Sequence, residues 1–141
     1  MAGEGITELN RKISELNNQV ADYKEKISVT NNAILAIKSK KSQLTAGKGD
    51  LSAARTWIQN SVDSFKENYN GSDTAEKKLG KMKELKRDMK LEFNLLQVYI
   101  NSLDTCIEKL NNLKTQYQTK LQNCQIKLSD TKVQLAKLNN P

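Results

Sequence analysis

The chain has 141 residues, of which 37% are hydrophobic and only 5% aromatic, and it contains no histidine. A chain of this length makes one domain, and so small an apolar fraction favours a thin helical assembly over a thick globule. Without histidine the commonest general base and a chief metal ligand are missing, so we expect no catalytic, cofactor or metal site. The net charge of +7 favours an anionic partner without identifying its class.

The first predicted element begins near residue 5 and carries an unbroken heptad pattern. Its inward positions are Ile6, Leu9, Ile13, Leu16, Val20, Tyr23, Ile27, Thr30, Ile34, Ile37, Lys41 and Leu44. Ten of these twelve positions are apolar, which is typical of a narrow coiled-coil seam. We predict a long helix that packs against one neighbour.

The pattern pauses at residues 47–50, which read Gly-Lys-Gly-Asp. Two glycines weaken a helix, and Asp50 can cap a new start. We therefore predict a break here, either a kink or a short loop, within a first arm that covers residues 5–68. A fold-back of the arm at 47–49 is a further alternative. Beyond the break the pattern resumes, and Trp57 lies beside Ile58, where it is either a core residue or a partner contact.

Residues 68–73 read NYNGSD and predict a chain reversal, with the turn at residues 69–72. Gly71 can adopt a left-handed backbone conformation, and Ser72 or Asp73 can cap the helix that follows. The two arms on either side of this segment, residues 5–68 and 73–138, are of similar length. We therefore predict an all-α fold, a long antiparallel helical hairpin of coiled-coil type, forming a single domain over residues 1–141.

The second arm, residues 73–138, carries a longer heptad still. Its inward positions are Leu79, Met82, Lys86, Met89, Phe93, Leu96, Ile100, Leu103, Ile107, Leu110, Lys114, Tyr117, Leu121, Cys124, Leu128, Thr131, Leu135 and Leu138. Folding the chain at residues 69–72 brings Ile34 near Ile107 and Leu16 near Gln125.

A second apolar stripe lies outside this seam. It consists of Leu85, Leu91, Leu95, Val98, Tyr99, Cys106 and Leu113. A bare two-helix hairpin exposes such a stripe, so we expect another helical chain or a second copy of this one to cover it. The predicted partner-binding residues are these side chains without Cys106, together with Trp57.

Residues 77–90, KKLGKMKELKRDMK, contain seven basic residues. They are mixed with Glu84 and Asp88 and lack stacking aromatics, so we interpret them as a solvated face and expect no specific nucleic acid. Cys106 and Cys124 lie about 27 Å apart along one helix, which predicts two free, half-buried thiols.

No stretch is apolar enough to form a transmembrane segment, and charges near the start break up any signal-peptide core. The expected location is the cytoplasm, and export would need a route without a cleaved signal.

The combination of two long helices with Tyr69-Asn70-Gly71 between them resembles the WXG100-like superfamily of type VII secretion, in which a Trp-x-Gly turn joins two helices. Tyr69 stands in place of the tryptophan, and only Tyr69 and Gly71 match the motif. The length and the long second arm are similar to YwqH-like proteins, small helical partners of LXG toxins.

This resemblance implies a targeting chaperone or adaptor that binds the helical region of an LXG-domain effector, or another small helical subunit, and aids its export. The family's Tyr-x-x-x-Asp/Glu export signal follows the second helix, whereas here that spacing occurs only from Tyr69 to Asp73, inside the turn. The alternatives are a self-associating structural coiled-coil protein, here a homodimer, and a basic protein that binds nucleic acid or a membrane surface.

Overall fold

The computed structural model describes residues 2–67 and 71–140, with side chains from residue 5 onward. It contains two long helices, α1 (Ala2–Glu67) and α2 (Asp73–Asn139), which pack against each other as a hairpin. No strand occurs in these two ranges. The all-α helical hairpin predicted from the heptad pattern is confirmed.

The start of α2 is built as the sequence predicts. Gly71 has a φ of 77°, in the left-handed region that favours glycine. Ser72 caps the helix, because its Oγ accepts a hydrogen bond from the Ala75 N–H at 3.1 Å. Asp73 and Glu76 lie in the first turn, where negative charge is favourable. Tyr69, the other residue of the predicted turn motif, lies outside the described residues.

Of the alternatives predicted at residues 47–50, the short loop and the fold-back are wrong, because α1 is helical through both glycines and Asp50; a kink within the helix stays a prediction. The chain therefore has neither a loop nor a fold-back there. Lys48 gives a physical reason: its Nζ donates a hydrogen bond to Gln97 Oε1 of α2 and lies 4.7 Å from the centroid of the Phe93 ring. Contacts across the hairpin thus offset the roughly 1 kcal/mol that each glycine costs a helix.

By their contacts, the residues form two compact units, which we call the terminal unit (Met1–Ala36 with Ile107–Pro141) and the turn unit (Ile37–Cys106). The buried residues of the terminal unit are Leu9, Thr30, Ile34 and Cys124. Those of the turn unit are Ile58, Val62 and Ile100. Each unit thus contains its own stretch of the α1–α2 seam, and the side chains buried in it come from both helices.

In the terminal unit, aromatic and small polar side chains lie in the seam among its aliphatic residues. The rings of Tyr23 and Tyr117 lie 6.3 Å apart between centroids. Thr30 is buried but satisfied, since its Oγ1 donates to the Lys26 carbonyl at 2.7 Å. Cys124 Sγ donates to Gln19 Oε1 at 3.4 Å.

The two thiols differ from their predicted half-buried state. Both are free, but Cys124 is buried and Cys106 is exposed. Cys124 occupies an inward heptad position, whereas Cys106 lies beside the seam, where the thin hairpin offers no second layer to cover it.

In the turn unit, two lysines at inward heptad positions contact the facing helix. Lys41 Nζ lies 2.5 Å from Asp104 Oδ1, and Lys86 Nζ donates to Gln59 Oε1. Lys41 and Lys86 are two of the polar residues at inward heptad positions, and these contacts give each of them a partner. They also place the register within about one helical turn of the predicted one.

Candidate partner-binding surface

The outer face of α2 in the turn unit carries a cluster of exposed apolar side chains, which we call the outer patch: Leu91, Leu95 and Val98. Their exposed fractions are 58%, 46% and 56%. Since a helix advances about 100° per residue, these three positions fall within about 60° of one another. Leu85 and Tyr99, also predicted to bind a partner, are exposed at one edge of the same face. Exposed leucines and valine in one stripe are typical of a protein-binding surface.

Charged residues of opposite sign border the outer patch. On one side α2 presents a basic stripe at i, i+3, i+4 and i+7, formed by Lys83, Lys86, Arg87 and Lys90. On the other side lie Asp88 and Glu92, both exposed. Four of the seven basic residues of 77–90 therefore share one face of α2.

The basic stripe and one residue of α1 line a single depression, which we call the basic cleft. It has a volume of about 360 Å³, and its lining residues are Arg55, Lys83, Lys86, Arg87 and Lys90. All five are basic. None of the ion pairs formed by the described residues involves them.

Arg55 is the α1 contribution to the basic cleft and was not among the predicted site residues. Its guanidinium carbon lies 5.7 Å from the centroid of the Phe93 ring, a distance that allows a cation–π interaction. Its Nε is buried and has no hydrogen-bond partner among the described residues. A buried donor without a partner is costly, so a shift of the guanidinium that gave Nε an acceptor would be favourable.

Trp57 is the most exposed of the large apolar side chains described, at 70%. It lies away from the seam that buries Ile58, so the alternative in which Trp57 belongs to the core is wrong. It borders a shallow depression on α1 with Asn60, Ser61, Ser64 and Phe65. The exposed Trp57 ring can contact a partner, but it lies on α1, whereas the outer patch lies on α2.

Leu113 belongs to the terminal unit, apart from the other predicted partner-binding residues. It is half-buried and lines a groove of about 490 Å³ with Val29, Ala33, Leu110 and Tyr117. Asp22, Glu25, Lys26 and Thr30 complete the groove. Lys26 Nζ lies 2.9 Å from Asp22 Oδ2, and this hydrogen bond raises the pKa of the ammonium group.

Sequence reasoning missed several exposed apolar side chains: Val29, Leu35, Ile126 and Val133. Ile126 and Val133 are seven residues apart and continue the heptad position of Leu91 and Val98. This seven-residue spacing predicts that Ile126 and Val133 share a face with Leu91 and Val98. The three intervening positions hold polar residues, so the pattern was not recognised. Val29 and Leu35 lie on the surface of α1, Val29 at the groove that Leu113 lines, and neither carries such a periodic signal.

A search of the described residues found no group of three or more His, Cys, Asp or Glu side chains placed to hold a metal ion. Over the same ranges, neither helix has a stretch long and apolar enough to cross a membrane.

The chain was compared with protein-family models, curated proteins and solved structures, and none of them matched. The likeness to the WXG100 superfamily therefore rests on the residues quoted above. The site is characterised by its own geometry: an apolar stripe on α2, bordered by a basic cleft on one side and by carboxylates on the other.

Proposed function

We propose that this protein is a non-enzymatic helical adaptor that binds another helical protein by packing it against the outer patch. The single observation that carries the proposal is the exposure of Leu91, Leu95 and Val98 in one stripe of a long, regular helix. A partner helix laid along this stripe would convert the hairpin into a three-helix assembly. Such packing buries apolar area from both molecules and stabilises the complex.

The more specific form of the proposal follows the sequence resemblance. The partner would be the helical region of an LXG-type toxin of type VII secretion, or another small helical subunit, and the adaptor would act as a targeting chaperone for its export. The support for this form is the sequence Tyr69-Asn70-Gly71, which lies between two long helices and resembles the Trp-x-Gly motif of the WXG100 superfamily.

The test is a capture experiment with the tagged full chain in its native cytoplasm, repeated with the Leu95→Asp and Val98→Asp variants. We expect one helical protein in stoichiometric amount, retained at high salt because apolar contacts dominate. Each variant should weaken capture at least tenfold, since a buried interface would then hold an unpaired charge. Asn18→Asp, which adds the same charge at an exposed position of α1 in the terminal unit, is the matched control and should bind normally.

Undiminished capture by both variants would contradict the outer patch as the binding surface. An LXG-domain protein as the captured partner would support the export role, whereas an unrelated helical protein would restrict the proposal to a general adaptor.

A second candidate function is a structural homodimer, favoured because exposed apolar side chains occur on both helices, among them Trp57 on α1 and Leu95 on α2. Light scattering on the purified chain separates the two functions. A dimer that Leu95→Asp dissociates, with no other protein captured, would replace the adaptor proposal with this one.

A further inference from the structure

We infer that the helix bound at the outer patch is amphipathic with one acidic edge, whose carboxylates enter the basic cleft formed by Arg55, Lys83, Lys86, Arg87 and Lys90. This inference rests on the proposed function, because it specifies the partner of the same surface. It adds the partner's charge pattern and the direction in which that pattern faces.

The charges on α2 are placed so that the two edges of a bound helix lie beside charges of opposite sign. Arg87 precedes Leu91 by four residues, so the two side chains are neighbours on the helix surface. A helix packed on Leu91, Leu95 and Val98 therefore has one edge beside the basic cleft. Its other edge lies beside Asp88 and Glu92. Carboxylates on the first edge and basic residues on the second would be paired on both sides, as at the flanking positions of a coiled coil.

The side chains of the basic cleft also have unused capacity to bind an acidic group. Five cationic side chains line it without an ion pair to any described residue, and Arg55 Nε is buried without a partner. A carboxylate is an acceptor that can satisfy a guanidinium through charge-assisted hydrogen bonds. Side chains at i, i+3, i+4 and i+7 also match the spacing at which a partner helix presents its own residues along one edge.

The surroundings of the basic cleft favour a protein over a nucleic acid. The apolar outer patch on one side offers nothing to a phosphate backbone, and Asp88 and Glu92 beyond it would repel one. The cleft itself has no aromatic lining on which a base could stack. A helix with an apolar face, one acidic edge and one basic edge complements the outer patch, the basic cleft and the two carboxylates.

The test uses two synthetic helical peptides of about three heptads with the same leucine face. One carries glutamate along one edge and lysine along the other; the second has glutamine at the glutamate positions. Their binding to the full chain is measured by fluorescence anisotropy at about 0.05 M and about 0.3 M salt, since salt screens exposed charges. The chain variants are Lys83→Gln/Arg87→Gln and a control of equal charge change, Lys77→Gln/Lys78→Gln. The control residues are exposed, belong to the same basic run and do not line the cleft.

We expect the glutamate peptide to bind about tenfold more tightly than the glutamine peptide at low salt. Lys83→Gln/Arg87→Gln should abolish that difference, and Lys77→Gln/Lys78→Gln should preserve it. All four substitutions lie at exposed helical positions, and circular dichroism checks that both variants remain folded.

Equal binding of the two peptides, sensitive to Leu95→Asp, would overturn the acidic edge and leave the adaptor proposal standing. Loss of the preference in both double variants would show that net charge alone attracts the peptide, which also overturns the inference. So would tighter binding of a duplex oligonucleotide that Lys83→Gln/Arg87→Gln abolishes, because the cleft would then serve a nucleic acid. Failure of both peptides to bind would count against the outer patch and the acidic edge together.

Discussion

The terminal unit and the turn unit use the same heptad pattern but hold their helices together differently. In the terminal unit the tyrosine pair and the buried thiol of Cys124 occupy the seam, and its described ion pairs run within one helix, from Arg11 to Glu8 and Glu15 and from Lys26 to Asp22. In the turn unit, lysines cross from one helix to the other.

This difference shows what a polar residue does in a narrow seam. A lysine at an inward position of a two-helix assembly is half-exposed, so its stem can pack while its ammonium group reaches a partner on the facing helix. Such pairs add little stability but favour one alignment of the helices over its neighbours. The turn unit also carries the outer patch and the basic cleft, so its alignment fixes the position of Arg55 beside α2.

Shortening one buried isoleucine in each unit should change the free energy of unfolding most. Ile34→Ala in the terminal unit and Ile100→Ala in the turn unit remove side chains that are 5% and 6% exposed. Each should lower the free energy of unfolding by about 2–4 kcal/mol, because methyl groups leave the seam and a cavity remains. Denaturant unfolding measures the effect, and hydrogen exchange shows which unit opens.

The matched control is Leu95→Ala, which shortens an exposed side chain and should change the free energy of unfolding by less than about 0.5 kcal/mol. A loss confined to Ile100→Ala would mean that the terminal seam contributes no stability. The two units would then differ in strength as well as in chemistry.

Glycine substitutions should act in opposite directions within the turn unit. Gly71→Ala should lower the free energy of unfolding by about 1–2 kcal/mol, because an alanine at a φ of 77° is strained. Gly47→Ala should raise it by up to about 1 kcal/mol, since the position is helical and a Cβ there meets nothing within 4 Å. Thermal unfolding followed by circular dichroism measures both changes. A destabilised Gly47→Ala would contradict an unstrained helix through residues 47–50.

The cross-helix lysine pairs should have a smaller effect. Asp104→Asn removes the charge that faces Lys41 across the turn unit, and both side chains are partly exposed. We expect a loss of about 0.2–0.5 kcal/mol at low salt, which high salt should remove. A double-mutant cycle with Lys41→Met isolates the pair. A coupling that persists at high salt would show that the pair is shielded from solvent.

The smallest expected effect concerns acid sensitivity in the terminal unit. The hydrogen bond from Arg11 lowers the pKa of Glu8 below its ordinary value of 4.5. The contribution of Glu8 is therefore present above pH 4.5 and is lost as the pH falls through its folded-state pKa. An NMR titration of the Glu8 carboxyl carbon measures this pKa, and Arg11→Gln should return it to the ordinary value. A titration at or above 4.5 in the unaltered chain would contradict the pairing.

The sequence predicted the seam well because the heptad depends only on local spacing. Of its inward positions from Ile6 to Leu135, all are buried or half-buried in the structure, and only Leu138 is exposed. The outer patch also followed from spacing, since Leu91, Leu95 and Val98 belong to one helix.

The features that sequence reasoning missed depend on contacts between distant segments. Arg55 joins the basic cleft only because α1 lies beside α2, and Lys48 at residues 47–50 contacts Gln97 and Phe93 only for the same reason. The basic stripe itself could have been found from its i, i+3, i+4, i+7 spacing. Lys77, Lys78 and Lys81, which lie on other faces, obscured it.

The position of Gly71 between the helices has a consequence for folding kinetics. The cross-helix pairs Gln59–Lys86, Lys48–Gln97 and Gln19–Cys124 join residues separated by 27, 49 and 105 positions. The entropy lost on closing a loop rises with its length, by roughly 1.2 kcal/mol between the shortest and the longest of these. The hairpin is therefore expected to zip outward from Gly71, so that Leu9 is synthesised before Ile58 but finds its partners on α2 after it.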